Sequence, residues 1–278
     1  MKTTVHFFVY CVLGAMAFAC SQGSDILSID DDFQGDNEHI KSVSSNGVIV
    51  HKYYYDSEGK IVEENCLSYF QKYLYDATGR LVKVESAFDE SMYFSSIMER
   101  RTEFMTSKNS AVKNYTLYEY DQSGRLSKCV FYFNSFNTEG KFELRSSRTF
   151  VYEGSNIVRV NLHDDTGRIS QYNVYAYDRN GNVTNNKYYS NLFGATNKLV
   201  SETSCKYDNY KNPYRIFRMQ GNPGLFSNAN NIIEINLIRH EEVQGLEKYS
   251  TSKTSYEYNK AGYPVKEITE NGVWEYNY

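Results

Sequence analysis

One nine-residue unit recurs four times and limits what this chain can become: Tyr-x-Tyr-Asp-x-x-Gly, a polar residue, then an aliphatic one. The copies are YYYDSEGKI (residues 53–61), YLYDATGRL (73–81), YEYDQSGRL (118–126) and YAYDRNGNV (175–183). Asp-x-x-Gly between alternating apolar residues is a hairpin signal. Asp opens a type I turn and accepts hydrogen bonds from it, and Gly takes the positive φ that closes it. The repeat therefore predicts Asp56, Asp76, Asp121 and Asp178 as turn formers, with Gly59, Gly79, Gly124 and Gly181 at the left-handed positions. Arg80 and Arg125 become exposed cross-turn partners of Asp76 and Asp121.

Simple pairing about the second hairpin sets Asp76 opposite Arg80, Tyr75 opposite Leu81, Leu74 opposite Val82 and Tyr73 opposite Lys83. One face then carries Tyr73, Tyr75, Leu81 and Lys83. Its counterparts are Tyr53, Tyr55, Ile61 and Glu63, then Tyr118, Tyr120, Leu126 and Lys128, then Tyr175, Tyr177, Val183 and Asn185. On the opposite face Tyr54, Leu74, Glu119 and Ala176 have nothing in common, so the tyrosine face is expected to be packed and the other mostly solvated. A tyrosine buries a large ring while its hydroxyl reaches a polar partner.

Looser copies follow residues 152, 163, 207 and 256, and Asn46-Gly47, Glu139-Gly140 and Asn271-Gly272 add further turn signals. With 27 tyrosines, 16 phenylalanines and only 3 prolines, the chain reads as all-β, an antiparallel meander of about 14–16 strands over residues 46–278. Residues 222–231 (NPGLFSNANN) are the clearest long loop.

The N-terminus carries Lys2, a short apolar run and Ala17-Phe18-Ala19, the layout of a secretory signal over residues 1–19. AFAC, ending at Cys20, resembles the lipobox of bacterial lipoproteins, which implies lipid attachment at Cys20; an ordinary signal peptide cut after Ala19 is the alternative. Residues 20–45 are polar and acidic and are expected to form a flexible tether. Asp30-Asp31-Asp32 resembles the surface-export signal of Bacteroidetes-type lipoproteins, which implies an outer-membrane or cell-surface address. A calcium loop on Asp30, Asp32, Gln34, Gly35 and Asp36 would need Glu where Lys41 stands.

The Tyr-Asp units resemble YD repeats, the β-hairpin units of Rhs-type proteins. With Lys211-Asn212-Pro213-Tyr214 they are also similar to small Bacteroidetes-type lipoproteins of unknown function described as porin-like in fold. The resemblance implies a curved or closed antiparallel sheet and no activity. Mean hydropathy of −0.61, and Glu119, Lys206 and Glu257 opposite the tyrosines, point to a water-soluble, tethered domain rather than a membrane-spanning barrel.

No catalytic fingerprint is present. The histidines (His6, His39, His51, His163, His240) lack metal-ligand spacing, and no P-loop, dinucleotide or nucleophile-elbow motif occurs. No cofactor or metal is expected. A formal net charge of −4 does not suit a nucleic-acid partner. Cys66, Cys129 and Cys205 form no framework, and sequence cannot choose a pair among them. Glu63-Glu64 is a carboxylate pair in sequence only, and His240 shares a strand face with Glu242 at most. The favoured reading is a lipid-anchored, non-catalytic envelope module that binds a glycan or an envelope protein. A surface polysaccharide hydrolase is the alternative.

Overall fold

A computed structural model describes residues 39–89, 103–134, 140–192, 196–240 and 247–278; the signal segment, Cys20, the acidic run and the calcium-loop candidate lie outside the described residues. The described residues form seventeen antiparallel strands: β1 Ser42–Ser45, β2 Val48–Tyr55, β3 Ile61–Cys66, β4 Tyr69–Tyr75, β5 Leu81–Phe88, β6 Asn114–Tyr120, β7 Leu126–Asn134, β8 Phe142–Glu153 and β9 Asn156–His163; then β10 Ile169–Tyr177, β11 Val183–Ser190, β12 Lys198–Lys211, β13 Asn230–His240, β14 Glu247–Lys253, β15 Ser255–Tyr258, β16 Pro264–Thr269 and β17 Gly272–Asn277. A 3-10 helix, Pro213–Gln220, interrupts the meander.

Successive strands pair as hairpins, and β1 pairs with both β2 and β17. β14 and β15 are one run broken only at Thr254; its first half pairs with β13 and its second with β16. Through that shared strand the ladder runs round a barrel, with a cleft of ≈ 500 Å³ where the run changes partner. The turns at Asp56, Asp76, Asp121 and Asp178 stand on one rim, here called lower, and the alternate connections, the Asp164 turn among them, on the upper rim.

The sheet starts earlier than the expected tether boundary at residue 45. Ile40 and Val43 are fully buried, the Lys41 N–H donates to the Asn277 carbonyl, and β1 closes the ring. Two apolar side chains three positions apart were enough to bring this end of the polar stretch into the core.

The turn chemistry follows the repeat. Asp76 Oδ1 accepts from the Thr78 and Arg80 N–H groups (2.9 and 3.0 Å), and its Oδ2 accepts from Arg80 Nε at 3.0 Å. Asp121 repeats this with Ser123 and Arg125. Asp56 accepts from the Glu58 and Lys60 N–H groups, and Asp178 from those of Asn180 and Asn182. Gly59, Gly79, Gly124 and Gly181 have φ of 79–82°.

The register departs from simple pairing one residue beyond the turn. Tyr75 faces Leu81 as expected, but Leu74 faces Lys83 and Tyr73 faces Val84, because a bulge leaves Val82 as an extra residue. The same slip sets Tyr53 opposite Glu64, Tyr118 opposite Cys129 and Tyr175 opposite Asn186. The bulge returns the second strand to the opposite alternation. Lys83, Glu63, Lys128 and Asn185 therefore turn outward, and Val84, Glu64, Cys129 and Asn186 take the inward places assigned to them.

Each hairpin is fastened to the one before it. In most repeats the second tyrosine donates its hydroxyl to the carbonyl of the aliphatic residue that begins the previous hairpin's return strand; Tyr258 reaches the Asp208 carboxylate instead. Tyr75 reaches Ile61 and Tyr120 reaches Leu81 (both 2.8 Å), while Tyr152 reaches Leu126 and Tyr177 reaches Ile157 (both 2.7 Å). Tyr55 does the same to Ile40 and Tyr278 to Pro264. Arg80, exposed as expected, and the half-buried Arg125 also lie over the rings of Tyr120 and Tyr152 in the following hairpin, at 5.2 and 5.0 Å. Tyr120→Phe keeps the ring and removes the donor, so urea denaturation should show a loss of about 1 kcal/mol.

The lower rim is plugged. Asn212 caps the 3-10 helix by accepting from the Tyr214 N–H at 3.0 Å, Pro213 fits its first turn, and Gly221 ends it at φ 67°. Phe217 drives into the barrel against Tyr53, Tyr73 and Phe226. A Cβ on Gly221 would come 2.2 Å from Leu126 Cδ2. Residues 222–231, expected as a loop, are the second half of this plug. Asn228 Oδ1 accepts the Val183 N–H at 2.9 Å, and Asn182 and Asn230 exchange two bonds of 3.0 Å.

Candidate functional site

The inward face gathers two carboxylates on its tyrosine lining. Glu64, on β3, is 8% exposed. Its Oε1 accepts the Tyr69 hydroxyl at 2.7 Å and lies 3.1 Å from His51 Nδ1, while Oε2 is 3.4 Å from the Tyr73 hydroxyl. Tyr73 donates to Gln71 Oε1 at 2.7 Å and accepts from Gln220 Nε2 of the plug at 3.3 Å. Glu267, on β16, faces Trp274 and Tyr256 across its two ladders, and its Oε2 accepts a short hydrogen bond from Tyr276.

The plug's Tyr214 lies between the two carboxylates. Its hydroxyl is hydrogen-bonded to those of Tyr276 and Tyr53, and it senses the charge of both Glu267 and Glu64. A run of phenols thus connects one carboxylate to the other. Burial first, then the Glu64 carboxylate, pushes Tyr53 and Tyr69 far above an ordinary phenol, and burial with Tyr214 and Glu267 does so for Tyr276. These phenols stay protonated and act as donors; the carboxylates spend their lone pairs accepting from them.

Burial raises the Glu267 carboxyl, against the Tyr276 hydrogen bond, which lowers it. A raised folded-state value favours the protonated folded form, so this contribution is complete below the unfolded value near pH 4.5 and is lost as pH rises through the folded value. The turn aspartates act in the reverse sense and lower. Hydrogen bonds from Thr78, Ser123 and Thr166 depress Asp76, Asp121 (to about 2) and Asp164, whose contributions are present above pH ~3.8 and lost on acidification. Glu267→Gln is therefore expected to flatten the decline in stability above pH 4.5 and to leave the acid limb unchanged, as measured by urea midpoints across pH.

Tyr53, Tyr73 and Tyr118 are buried in the core, Tyr175 lines the inner face, and Tyr55, Tyr75, Tyr120 and Tyr177 are the carbonyl-binding rungs. Glu63 points outward and accepts the Ser107 N–H and hydroxyl (2.9 and 2.8 Å), so the Glu63-Glu64 pair is divided by the sheet. His240 lies 3.3 Å from Glu202, which also binds Lys187 at 2.9 Å; Glu242 lies outside the described residues. Cys66, Cys129 and Cys205 are unbridged, and burial pushes the Cys129 thiol up to about 11. No cluster of three potential metal ligands occurs among the described residues. Sequence reasoning missed Glu64, Glu267, His51, Tyr214 and Gln220 as one assembly. What hid them is the bulge, which brings the third residue after the aliphatic position inward.

The paired-aromatic strands divide their rings between faces. Phe70 is fully buried on the outside, where Met105 and Ala87 pack with it, whereas Tyr69 turns inward to Glu64. Tyr132 stacks on Tyr115 at 4.9 Å, and Lys83 lies 4.5 Å from the centre of the Tyr115 ring. Tyr172 stacks on Tyr189 at 4.7 Å with Arg159 3.8 Å from its centre. The outward face also carries the ion pairs Lys83–Glu85, Lys206–Glu234 and Lys266–Glu257, which a hydrocarbon-facing band would not accommodate. Among the described residues no helix is long and apolar enough to cross a membrane.

The sequence matches no protein-family profile and no curated protein. Solved structures similar to it include a porin-like protein from Bacteroides uniformis, at 12% identity over 86% of this chain and 97% of that one, with a TM-score of 0.39. A protein of unknown function from Bacteroides fragilis is 11% identical over 72% of this chain and 87% of its own, with a TM-score of 0.20. The TcdB2-TccC3 structure is 15% identical over 80% of this chain but only 11% of its own length, with a TM-score of 0.33. None of these likenesses carries an activity across.

Proposed function

We propose that this chain is a non-catalytic binding module of the cell envelope, anchored through a lipid on Cys20, and that its partner is an envelope protein rather than a glycan. The observation that carries this reading is the occupancy of its chemistry. Glu64 is buried and Glu267 half-buried, both bound by tyrosines, and neither faces another carboxylate across an open groove among the described residues, as glycoside hydrolysis requires. The outward aromatic stacks favour a protein over a sugar for a related reason. Tyr115 and Tyr172 already give ring contacts to a neighbouring tyrosine and to a cation, whereas a sugar platform needs an open ring face. Exposed apolar side chains gather instead on the upper rim, where Val48, Ile49 and Ile268 project from β2 and β16.

The test uses the native protein in three arms. Mass spectrometry of its N-terminus should find a lipidated Cys20; an unmodified terminus removes the anchor. Incubation with envelope polysaccharides should release no reducing ends, and any turnover overturns the non-catalytic reading. Crosslinking in whole cells should capture the same envelope protein repeatedly and lose it in Ile49→Asp/Ile268→Asp. Glycan-array binding that survives this double substitution would replace the protein partner with a sugar.

A further inference from the structure

The chain enters the barrel at its plugged end. β1 runs upward from Ile40, and His39 stands at the Asp56 turn, where a Cβ on Gly59 would come 2.9 Å from His39 Nε2. The Lys41 N–H donates to the Asn277 carbonyl and the Tyr55 hydroxyl to the Ile40 carbonyl, so the entry is held at the lower rim between β17 and β2. Residues 21–38 separate it from Cys20. The tether expected there would span about 23 Å as a coil. That distance takes in the lower rim, whereas the upper rim lies roughly 26 Å farther, along the 8 residues of β2.

One corner of the same rim combines an exposed ring with two lysines. The Lys211 N–H, at the end of β12, donates to the Gly262 carbonyl at 3.0 Å, so this strand end and the Asn259 turn stand together. Tyr210 is 48% exposed, and Tyr258 backs its ring with the centroids 3.9 Å apart. Lys211 and Lys260 are exposed beside it, and Lys211 Nζ lies 4.9 Å from the centre of the Tyr263 ring. Tyr263 in turn meets Tyr278 at 5.5 Å. The corner is thus two or three strand spacings, about 10–14 Å, from the chain's entry.

The nearby carboxylates are engaged elsewhere. Asp208 accepts from Tyr258, from Asn231 and from the Tyr210 N–H, and Glu257 pairs with Lys266 at 3.2 Å. Neither Lys211 nor Lys260 is ion-paired among the described residues. A tyrosine ring rests at headgroup depth in a bilayer interface, and ammonium groups beside it meet the phosphates.

We infer that the plugged rim is the membrane-facing end of the protein, and that Tyr210, Lys211 and Lys260 seat it on anionic phospholipid headgroups. This orientation rests on the lipid proposed at Cys20. It leaves the Ile49–Ile268 rim pointing away from the anchoring membrane, toward a partner. The lipid supplies most of the affinity, while the two lysines, each worth about fivefold near an anionic surface, fix which end lies down.

Lysine footprinting of the native protein on vesicles of phosphatidylethanolamine and phosphatidylglycerol tests it. A water-soluble amine-acylating reagent should modify Lys211 and Lys260 at least about fivefold less on the vesicles than in the Cys20→Ser chain free in solution. Lys141, exposed at the upper rim, should react equally in both. The full chain carrying Cys20→Ser separates the corner from the lipid. At low salt it should still sediment weakly with these vesicles, at least about tenfold less with Lys211→Glu/Lys260→Glu added, and not with phosphatidylcholine alone. Unprotected Lys211 and Lys260 in protein that floats with the vesicles, equal protection of Lys141, or sedimentation indifferent to the double substitution would each overturn the inference. An unmodified native Cys20 with binding still lost in the double variant would remove the lipid and leave the headgroup contact standing.

Discussion

Phe217→Ala is expected to destabilise the barrel by about 3–5 kcal/mol, the range for a phenylalanine lost from a well-packed core. Phe217 is 3% exposed and lies against Tyr53, Tyr73, Tyr214 and Phe226, so its ring joins the plug to two repeat hairpins. The hole could not close readily. Asn212 and Gly221 fix the two ends of the helix, and the amides of Asn182, Asn228 and Asn230 hold the segment that follows to β11. Chemical denaturation should show the full loss as a lower midpoint with little change in slope. A cost below about 1 kcal/mol would mean that the plug is a loose insertion and the β-ring stands without it.

The second large effect separates the bulged register from the simple one. Leu81→Ala should cost about 2–5 kcal/mol, Val84→Ala about 1–2, and Val82→Ala less than about 0.5. Leu81 and Val84 are 1% and 6% exposed and face Tyr75 and Tyr73, whereas Val82 is the extra, half-buried residue of the bulge. Simple pairing from the turn would put Lys83, not Val84, on the packed face. Parallel denaturation curves of the three variants suffice, and a Val84→Ala variant as stable as Val82→Ala would contradict the register.

Much of the architecture was legible because turn chemistry is local. Asp-x-x-Gly determines its own hydrogen bonds within five residues, so hairpin positions, the all-β class and the buried tyrosine face followed from the repeats. The bulge was not legible, since Val82 differs little from any other strand valine; what selects it is the twist between neighbouring strands. Missing it hid the interior cluster, because Glu64 and Glu267 read as outward-facing until the alternation is reset. The plug was hidden for another reason. Lys211-Asn212-Pro213-Tyr214 reads locally as a loop, and only the surrounding barrel makes a short 3-10 helix worth forming there. Its trace in the sequence was a single departure: Asn182 stands where two other copies have Arg, and it binds Asp178 on one side and Asn230 of the plug on the other.

The tyrosine rungs give the sheet a direction of assembly. Tyr75, Tyr120, Tyr152 and Tyr177 each reach back to a carbonyl made earlier in the chain. A hairpin emerging during synthesis therefore finds its acceptor already in place, and the sheet can lengthen one unit at a time from its N-terminal side. Among the described strands the β1–β17 seam alone pairs the first with the last, so that longest-range pairing forms once, after β17 has arrived.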